Sequence, residues 1–439
     1  MNKILHLLIA FILLSSTSNA NLITKHIKQT GFDKNTKVAL YVVDNKNHKT
    51  LYHKNATSAL NPASLLKTLT FGVSYMVLGA DYQFETALFE DCNKNIYLKL
   101  GGDLLFSKDD LNKLISNLKN KNINNIFIDD SIFVNEKYPS TWLEEDKWPN
   151  QGEISPYIID NNYHQIAINR SSLAKKVDIV QEDDYKLPII NELVLDEKHD
   201  VKIARLYGEN SQIINLQGTV AKDDVLNLPI LKPDINFNVK LNQALKKNSI
   251  VHIDRIEIKK TPVDARKIAS VSHCIKDVSK KVLYNSDNFS SEIIFRVAAS
   301  KYYDKSATLE DSINMFLEKY GKYLSKGESI ADASGVSREN RLSAKSIATI
   351  FMDLSKKTDI LSLMQSANQG TMADRLLFLN GNLKAKTGTM RNLSALIANM
   401  QTRKDTNILF VSIVQDSSKR KSLLKHYENS LLGIIYKNY

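Results

Sequence analysis

The apolar periodicity of this chain changes twice along its length, and this change constrains the fold more than any other feature. Before residue 86 and after residue 261, alternating strand patterns stand beside long stretches with helical spacing. Between them, short alternating runs are separated by Asn-rich turns, as is typical of β-structure. We therefore predict one discontinuous domain, residues 21–85 and 262–439, with an inserted β-rich domain, or two subdomains, at residues 86–261.

Strands and helices can be placed within the outer segments. A hairpin of Lys37–Asp44 and Thr50–His53 precedes a helix from about Ala63 to Val77, which starts after Asn61-Pro62. The C-terminal half is predicted to form helices and then three strands and a last helix, over residues 277–283, 290–300, 308–324, 343–355, 383–390, 393–400, 408–414 and 419–436.

The first twenty residues have the composition of an export signal. Lys3 precedes an apolar run from Ile4 to Leu14, and Ser18-Asn19-Ala20 offers small residues where a signal peptidase reads them. We expect cleavage after about Ala20 and a periplasmic protein. No later segment is apolar for long enough to cross a bilayer, which leaves peripheral membrane association open.

Charge and cysteine content exclude some functions. The net charge is +11, but the Lys residues are spread along the chain, so we interpret them as a basic surface rather than a nucleic-acid site. Cys92 and Cys274 are permitted to pair in an oxidising compartment, although their spacing does not require it. Neither Cys nor any pair of His residues has zinc-site spacing, so we expect no metal and no cofactor.

Ser64-Leu65-Leu66-Lys67 is the first candidate for chemistry. This spacing on a helix puts the hydroxyl and the amine on one face. A Ser needs a neighbouring base to become a nucleophile, and a Lys can be that base once burial lowers its pKa. A solvated helix face explains the same spacing elsewhere, at Ser116, Ser172, Ser418 and Ser422. Ser64 differs because it follows Asn-Pro-Ala at a helix start and precedes an apolar helix.

Ser286-Asp287-Asn288 lies between two helical stretches and is predicted to form a loop. Its Ser and Asn alternate, so both can point into one cleft, where the Ser relays a proton and the Asn binds a substrate amide. A turn or a helix cap is the simpler interpretation. The Ser-x-Asn spacing also occurs at Ser312 and Ser366.

Lys386-Thr387-Gly388-Thr389 occurs once, in an alternating segment that is predicted to be a strand. Its Lys can place a second cation near Lys67 and keep that amine neutral. The two Thr hydroxyls suit a substrate carboxylate, and the Gly lets another backbone approach closely. A basic edge strand is the alternative.

The three motifs occur in order, each in its expected structural context. In the order and context of these motifs, the chain resembles the class C low-molecular-mass penicillin-binding proteins. These are the D-alanyl-D-alanine carboxypeptidase/endopeptidase family of the penicillin-binding protein 4 type. Further segments match that family's pattern over nearly all of the chain, at Gly101-Gly102-Asp103, Asp129-Asp130-Ser131-Ile132-Phe133, Asp332-Ala333-Ser334-Gly335-Val336-Ser337-Arg338 and Gly370-Thr371-Met372. The chain departs from the family's pattern at Leu104, Ala333 and Ala395. These departures concern the fine shape of the substrate side-chain pocket that the resemblance implies, not the reaction.

The resemblance implies an α+β fold of the penicillin-recognising transpeptidase and β-lactamase type, an antiparallel sheet flanked by helices, with a large β-rich insertion. It implies that Ser64, deprotonated by Lys67, attacks a D-Ala peptide bond of peptidoglycan stem peptides, and that β-lactams acylate the same Ser. The implied catalytic residues are Ser64, Lys67, Ser286, Asn288 and Lys386. The implied substrate-binding residues are Thr387, Gly388, Thr389, Arg338, Asp129, Asp130 and Phe133. A surface Arg and a turn remain alternatives for Arg338 and the Asp pair.

Two other functions share part of this pattern. A β-lactamase would carry the same motifs but needs a residue that activates water. Glu192, within the insertion, is the nearest candidate and has no supporting motif. A non-catalytic cell-wall-binding scaffold would not need the intact set of motifs. We therefore predict a serine D-Ala-D-Ala carboxypeptidase, an endopeptidase or both.

Overall fold

The computed structural model describes residues 19–30, 35–171, 176–181, 186–206, 211–250 and 256–439. Of the predicted export signal, only residues 19 and 20 fall within this part, and residues 251–255 of the expected strand at 250–258 also lie outside it. Among the described residues, no helix has both the length and the hydropathy to span a membrane.

The strands, in chain order, are β1 (Lys37–Asp44), β2 (Thr50–Lys54), β3 (Gln83–Glu90), β4 (Ile96–Lys99), β5 (Ile126–Asp129), β6 (Tyr163–Ser171), β7 (Lys176–Gln181), β8 (Ile189–Leu195), β9 (Asp200–Arg205), β10 (Ile214–Val220), β11 (Asp224–Pro229), β12 (Glu257–Ile258), β13 (Arg266–Cys274), β14 (Leu383–Met390), β15 (Leu393–Gln401) and β16 (Asn407–Gln415). The α-helices are α1 (19–29), α2 (Leu66–Leu78), α3 (Lys108–Ser116), α4 (Pro233–Lys247), α5 (Ile275–Leu283), α6 (Asn288–Tyr303), α7 (Leu309–Tyr320), α8 (Ala344–Lys357), α9 (Ile360–Leu363) and α10 (Lys421–Asn438).

The described chain divides into two compact units. The first contains the residues up to Asp81 together with Ile275–Tyr302 and Leu309–Tyr439, and the second contains Tyr82–Cys274 and Tyr303–Thr308. The sequence placed the boundaries after residues 85 and 261 instead. The difference arises because β3 and β13 pair with each other along their length, which assigns both strands to the second unit.

A five-stranded antiparallel sheet forms the centre of the first unit, in the order β14-β15-β16-β1-β2. β1 pairs with β16 over its whole length, from Lys37 opposite Gln415 to Asp44 opposite Ile408. Nearly every residue of these two strands is buried, as expected of strands covered on both faces. This is the predicted α+β arrangement of an antiparallel sheet with helices.

Helices cover the sheet and hold the segment that carries Ser64. α10 and α1 share one hydrophobic core with the sheet, including Ile23, Phe410 and Leu431. α8 contacts β1 and β16, and α2 packs against α8. Every residue of α2 from Leu66 to Tyr75 is buried, so this helix is fixed by packing on all sides.

The second unit contains three sheets and two hydrophobic cores. The order β12-β5-β4-β3-β13 forms one sheet, whose core includes residues of α3 and α4. The orders β8-β10-β9 and β11-β6-β7 form the other two, which share the second core. Neither helix is among the elements predicted from the sequence, although Ser107 and Asp110 form a capping box at the start of α3 and Pro233 opens α4.

Candidate active site

Ser64 lies in a short 3-10 turn, Ala63–Leu65, directly before α2, where the sequence predicted one continuous helix. The Ala63 backbone N–H donates to Asn61 Oδ1 at 2.8 Å, and Ala63 has a left-handed φ of 46°. That conformation is strained for a residue with a Cβ, and strain of this kind clusters at functional sites. The turn leaves Ser64 half-buried at the end of an otherwise buried helix.

The Lys67 amine is the centre of a hydrogen-bond cluster. Its Nζ donates to Asn288 Oδ1 and to the Ser334 carbonyl, each at 2.6 Å, and lies 2.9 Å from Ser64 Oγ. The two carbonyl oxygens can only accept, so they occupy two N–H groups of the amine. The remaining position faces Ser64 with a lone pair when the amine is neutral and with a third N–H when it is protonated. The geometry therefore satisfies Lys67 before and after it accepts a proton.

The electrostatic surroundings of Lys67 suit a base. Its side chain is fully buried, and desolvation lowers its pKa to about 8. Three carboxylates oppose this effect by favouring the ammonium form, those of Asp332, Asp287 and Glu292. As a result, Lys67 is a neutral amine in a fraction of the molecules near neutral pH.

Lys386, on β14, is the second buried amine of the cluster. Its Nζ donates to Ser286 Oγ at 2.7 Å and to the Thr387 carbonyl at 2.9 Å. Burial and then the nearby charge of Lys67 hold the pKa of Lys386 well below its usual range. The sequence predicts that Lys386 is the cation that keeps Lys67 neutral. That role stays a prediction; the two buried amines are close enough for their charges to oppose each other.

Ser286 and Asn288 reach the cluster from the start of α6. Ser286 lies on the preceding loop with a left-handed φ of 59°. Asn288 is the first residue of the helix rather than part of the predicted loop. Asp287 explains the earlier start, since the Ser290 backbone N–H donates to its carboxylate at 3.2 Å and caps the helix.

Gly388 brings β14 close to the Ser64 turn. A Cβ built at this position would lie 3.0 Å from the Pro62 carbonyl oxygen and 3.1 Å from the Ser64 backbone nitrogen. A larger residue would therefore push the strand away from the turn. Through this approach and the two Lys hydrogen bonds, the structure brings all three sequence motifs together around Ser64.

The Thr residues of the third motif lie on the same strand. Thr387 Oγ1 is 2.7 Å from Thr371 Oγ1, which also accepts from Gln365 Nε2 at 2.7 Å. Thr389 is half-buried at the next position but one. Thr371 lies in a segment that matches the family's pattern, but neither Thr371 nor Gln365 is among the predicted site residues. Their place in the site is seen only from their contacts with β14, which is distant from them in sequence.

The loop from Asp332 to Arg338 supplies the Ser334 carbonyl. The backbone N–H groups of Gly335 and Ser337 donate to Asp332 at 2.8 and 2.7 Å, which folds the loop around a buried carboxylate. Gly335 has a φ of 83°, and a Cβ there would lie 2.0 Å from the Ala63 carbonyl oxygen. The loop therefore contacts both the Lys67 amine and the backbone beside Ser64.

Arg338 is exposed at the end of this loop and donates to the Val336 carbonyl at 3.0 Å. It borders a cavity of about 400 Å³. Among the described residues, four basic side chains and no carboxylate line this cavity, and its walls include Lys37, Asn61, Arg338, Arg341, Met390 and Arg391.

Three other predicted substrate-binding residues belong to the second unit. Asp129 is buried and accepts from the Ser131 hydroxyl at 2.6 Å and the Thr261 N–H at 2.8 Å. Asp130 accepts from the Tyr157 hydroxyl at 3.0 Å, and Phe133 is 1% exposed. All three have partners or packing within their own unit, and their role in substrate binding stays a prediction.

The remaining predictions concern the two Cys residues, metal binding and Glu192. Cys92 and Cys274 do not form a disulfide with each other. Across the described ranges, no group of His, Cys, Asp and Glu residues has the arrangement of a metal site. Glu192, the residue considered for a β-lactamase, lies on β8 in the second unit and accepts from the side-chain amides of Asn215 and Gln217.

Comparison with known proteins agrees with this geometry. The sequence is 22% identical over 422 residues to the D-alanyl-D-alanine carboxypeptidase DacB of Haemophilus influenzae, covering 87% of this chain and 88% of that protein. The crystal structure of penicillin binding protein 4 (dacB) from H. influenzae is 20% identical, with a TM-score of 0.81, over 95% of this chain and 99% of the other. In its complex with a novel β-lactam, the TM-score is 0.76 at the same coverage. The peptidoglycan endopeptidase Bd3459 of Bdellovibrio bacteriovorus is 14% identical, with a TM-score of 0.52, over 91% and 93% of the chains.

The profile of the D-Ala-D-Ala carboxypeptidase 3 (S13) family matches residues 19–431, which is nearly the whole chain. This match confirms the predicted enzyme class, a serine-type D-Ala-D-Ala carboxypeptidase or endopeptidase, and the structural similarity confirms the fold. The chain therefore belongs to the D-Ala-D-Ala carboxypeptidase 3 (S13) family.

Proposed function

We propose that Ser64 is the nucleophile of this enzyme and that Lys67 is its general base. The observation that carries this proposal is the Lys67 amine, which lies 2.9 Å from Ser64 Oγ while two carbonyl oxygens occupy its other hydrogen-bonding positions. In the neutral state its lone pair faces the Ser64 hydroxyl. Nucleophile and base are thus within the reach that proton transfer requires.

In the acylation step, one proton moves to Lys67 and another moves to the leaving amine. Ser64 Oγ bonds to the carbonyl carbon of the D-Ala peptide bond as its proton moves to Lys67. Ser286, hydrogen-bonded to Lys386, gives a proton to the leaving amine. The proton that Lys67 gained then replaces the one that Ser286 lost. The C–N bond breaks, and water later hydrolyses the ester. Backbone N–H groups of Ser64 and Thr389 are the proposed oxyanion donors, and losing one such donor costs about 2.7–4 kcal/mol.

Covalent labelling tests the nucleophile. Wild-type protein incubated with a fluorescent penicillin is expected to carry one label, and Ser64→Ala is expected to carry none. Ser116→Ala is the matched control, because Ser116 also precedes a Lys by three residues but lies on an exposed helix face, so its label is retained. A label that survives in Ser64→Ala at the wild-type level contradicts the assignment.

The basic cavity at Arg338 supports a substrate whose side chain carries a carboxylate. Four cations line this cavity of about 400 Å³ beside Asn61 and Met390, which flank the Ser64 turn and the end of β14. A carboxylate is the ligand that an Arg recognises with two parallel hydrogen bonds. We expect Arg338→Gln to raise KM for a stem peptide with a free side-chain carboxylate and to leave KM for the amidated peptide unchanged. Equal KM values of wild type for the two peptides would refute this specificity.

The cell-wall role and the location are supported by the same comparisons and by the leader. The similar H. influenzae protein forms a complex with a β-lactam, and similar proteins include a carboxypeptidase and an endopeptidase. Digestion of purified muropeptides followed by mass analysis separates loss of terminal D-Ala from opened cross-links. A periplasmic protein cleaved after Ala20 is expected to begin at Asn21 on N-terminal sequencing.

A further inference from the structure

Glu292 is a fully buried carboxylate that no proposed step of the reaction uses. It lies on α6 four residues after Asn288, so the two side chains share one face of the helix. Asn288 touches the Lys67 amine, whereas Glu292 points at the loop behind it. A buried carboxylate is costly unless its oxygens are all paired, so its partners indicate what it holds in place.

Both oxygens of Glu292 are engaged. Oε1 accepts from the backbone N–H groups of Ala333 and Ser334 at 2.9 and 3.0 Å. Oε2 accepts from Arg296, another fully buried side chain, at 2.9 Å. The carboxylate therefore ties the start of the Asp332–Arg338 loop to α6, with Arg296 as its counter-charge.

The tied residues are those that hold the base. The Ser334 carbonyl, one peptide unit beyond the bonds to Glu292, accepts from Lys67 Nζ at 2.6 Å. Thr70, one turn after Lys67 on α2, donates to the Ala333 carbonyl at 2.7 Å and fastens the loop from the other side. A shift of the loop would move the acceptor of Lys67 and with it the amine that faces Ser64.

We propose that Glu292 is a positioning residue, which holds the Ser334 carbonyl so that the Lys67 amine stays directed at Ser64 Oγ. This inference rests on the proposed function of Ser64 and Lys67. Glu292 also acts through its charge. The ionisable groups facing Lys67 are Asp287 before α6, Glu292 on α6 with its partner Arg296, Asp332 on the loop and Lys386 on β14. The carboxylates of this set favour the ammonium form of Lys67.

Two substitutions separate position from charge. Glu292→Ala removes the loop bonds and the charge, and is expected to lower the plateau rate of acylation by about 10- to 100-fold, as a misplaced catalytic group does. Glu292→Gln keeps one acceptor oxygen for the loop and is expected to recover part of that plateau. Both remove a negative charge near Lys67, so in both the acid limb of the pH–rate profile moves to lower pH. A role confined to stability would leave that limb where it is.

Glu428→Gln is the matched control, because Glu428, on α10, is also fully buried and accepts from Ser412 at 2.7 Å and from Arg375 at 3.4 Å. It is expected to lower the thermal stability but to leave the plateau and the acid limb at the wild-type values. If Glu292→Gln, folded by circular dichroism, has the pH profile of wild type and of this control, the proposal is overturned.

Thr70→Val keeps the experiment decisive if neither Glu292 variant folds. It removes one bond to the loop and no charge, so the plateau is expected to fall while the acid limb stays in place. An unchanged plateau in this variant refutes the positioning role. The acylation assay uses a fluorescent penicillin, so absent labelling of wild type would mean that the proposed function fails, whereas normal wild-type labelling with an unaffected Glu292→Gln rejects this inference alone.

Discussion

The pH dependence of acylation is the most direct test of the Lys67 base. Desolvation lowers the pKa of Lys67 from 10.5 to about 8, which corresponds to a preference of about 3 kcal/mol against the ammonium form. Because the base is the neutral amine, its population rises with pH. A pKa of about 8 makes about one molecule in 11 competent at pH 7 and about one in 100 at pH 6.

The second-order rate constant for acylation by a fluorescent penicillin is therefore expected to rise about tenfold between pH 6 and pH 7 and to level off above about pH 8.5. Stopped-flow fluorescence over this range measures it. Lys384→Met is the control, because Lys384 lies two residues before Lys386 on β14 and donates to the Met364 carbonyl at 3.3 Å rather than to a catalytic residue. Its profile should match that of wild type. A wild-type rate that is flat or falls between pH 6 and pH 8 refutes a neutral Lys67 as the base.

Three further outcomes follow from the geometry. Gly388→Ala places a Cβ 3.0 Å from the Pro62 carbonyl oxygen, so the rate of acylation should fall about 10- to 100-fold with little loss of thermal stability. In the control Gly433→Ala, the new Cβ lies 3.6 Å from Phe378, an ordinary contact, and the wild-type rate should be retained. Gly335→Ala combines a φ of 83° with a Cβ 2.0 Å from the Ala63 carbonyl oxygen, so denaturant unfolding should show a loss of about 3 kcal/mol or more; a loss below 1 kcal/mol would contradict this packing. Cys92 is exposed and forms no disulfide with Cys274, so a thiol reagent should label the native protein and a reductant should leave its Tm unchanged.

Local sequence signals predicted the outer elements well. Alternation in Lys37–Asp44 and in the last three strands identified the central sheet, and Asn61-Pro62 located the start of the helical segment that carries Ser64. The α+β fold and the enzyme class followed from three short motifs in order. These features were readable because each depends on residues within a few positions of one another.

The errors concern effects that arise only when distant segments meet. A loop is predicted at Ser286-Asp287-Asn288, but the Asp287 carboxylate caps the helix, so α6 begins at Asn288, earlier than its periodicity indicates. The roles of Gln365 and Thr371 depend on contact with β14. Likewise, the three carboxylates that favour the ammonium form of Lys67 approach it from α6, the loop before α6 and the Asp332 loop, and that information is not in the spacing of the Ser64 and Lys67 motif.

The pairing of β1 with β16 has a consequence for biogenesis. Synthesis proceeds from the N terminus, so β1 emerges more than 360 residues before its partner, which ends at Gln415. Until then the middle of the catalytic sheet has an unpaired, apolar edge, the kind of surface that aggregates. Closing so long a loop also slows folding. A chain truncated before residue 407 is therefore expected to lack the catalytic sheet altogether and to depend on chaperones that shield its first strand.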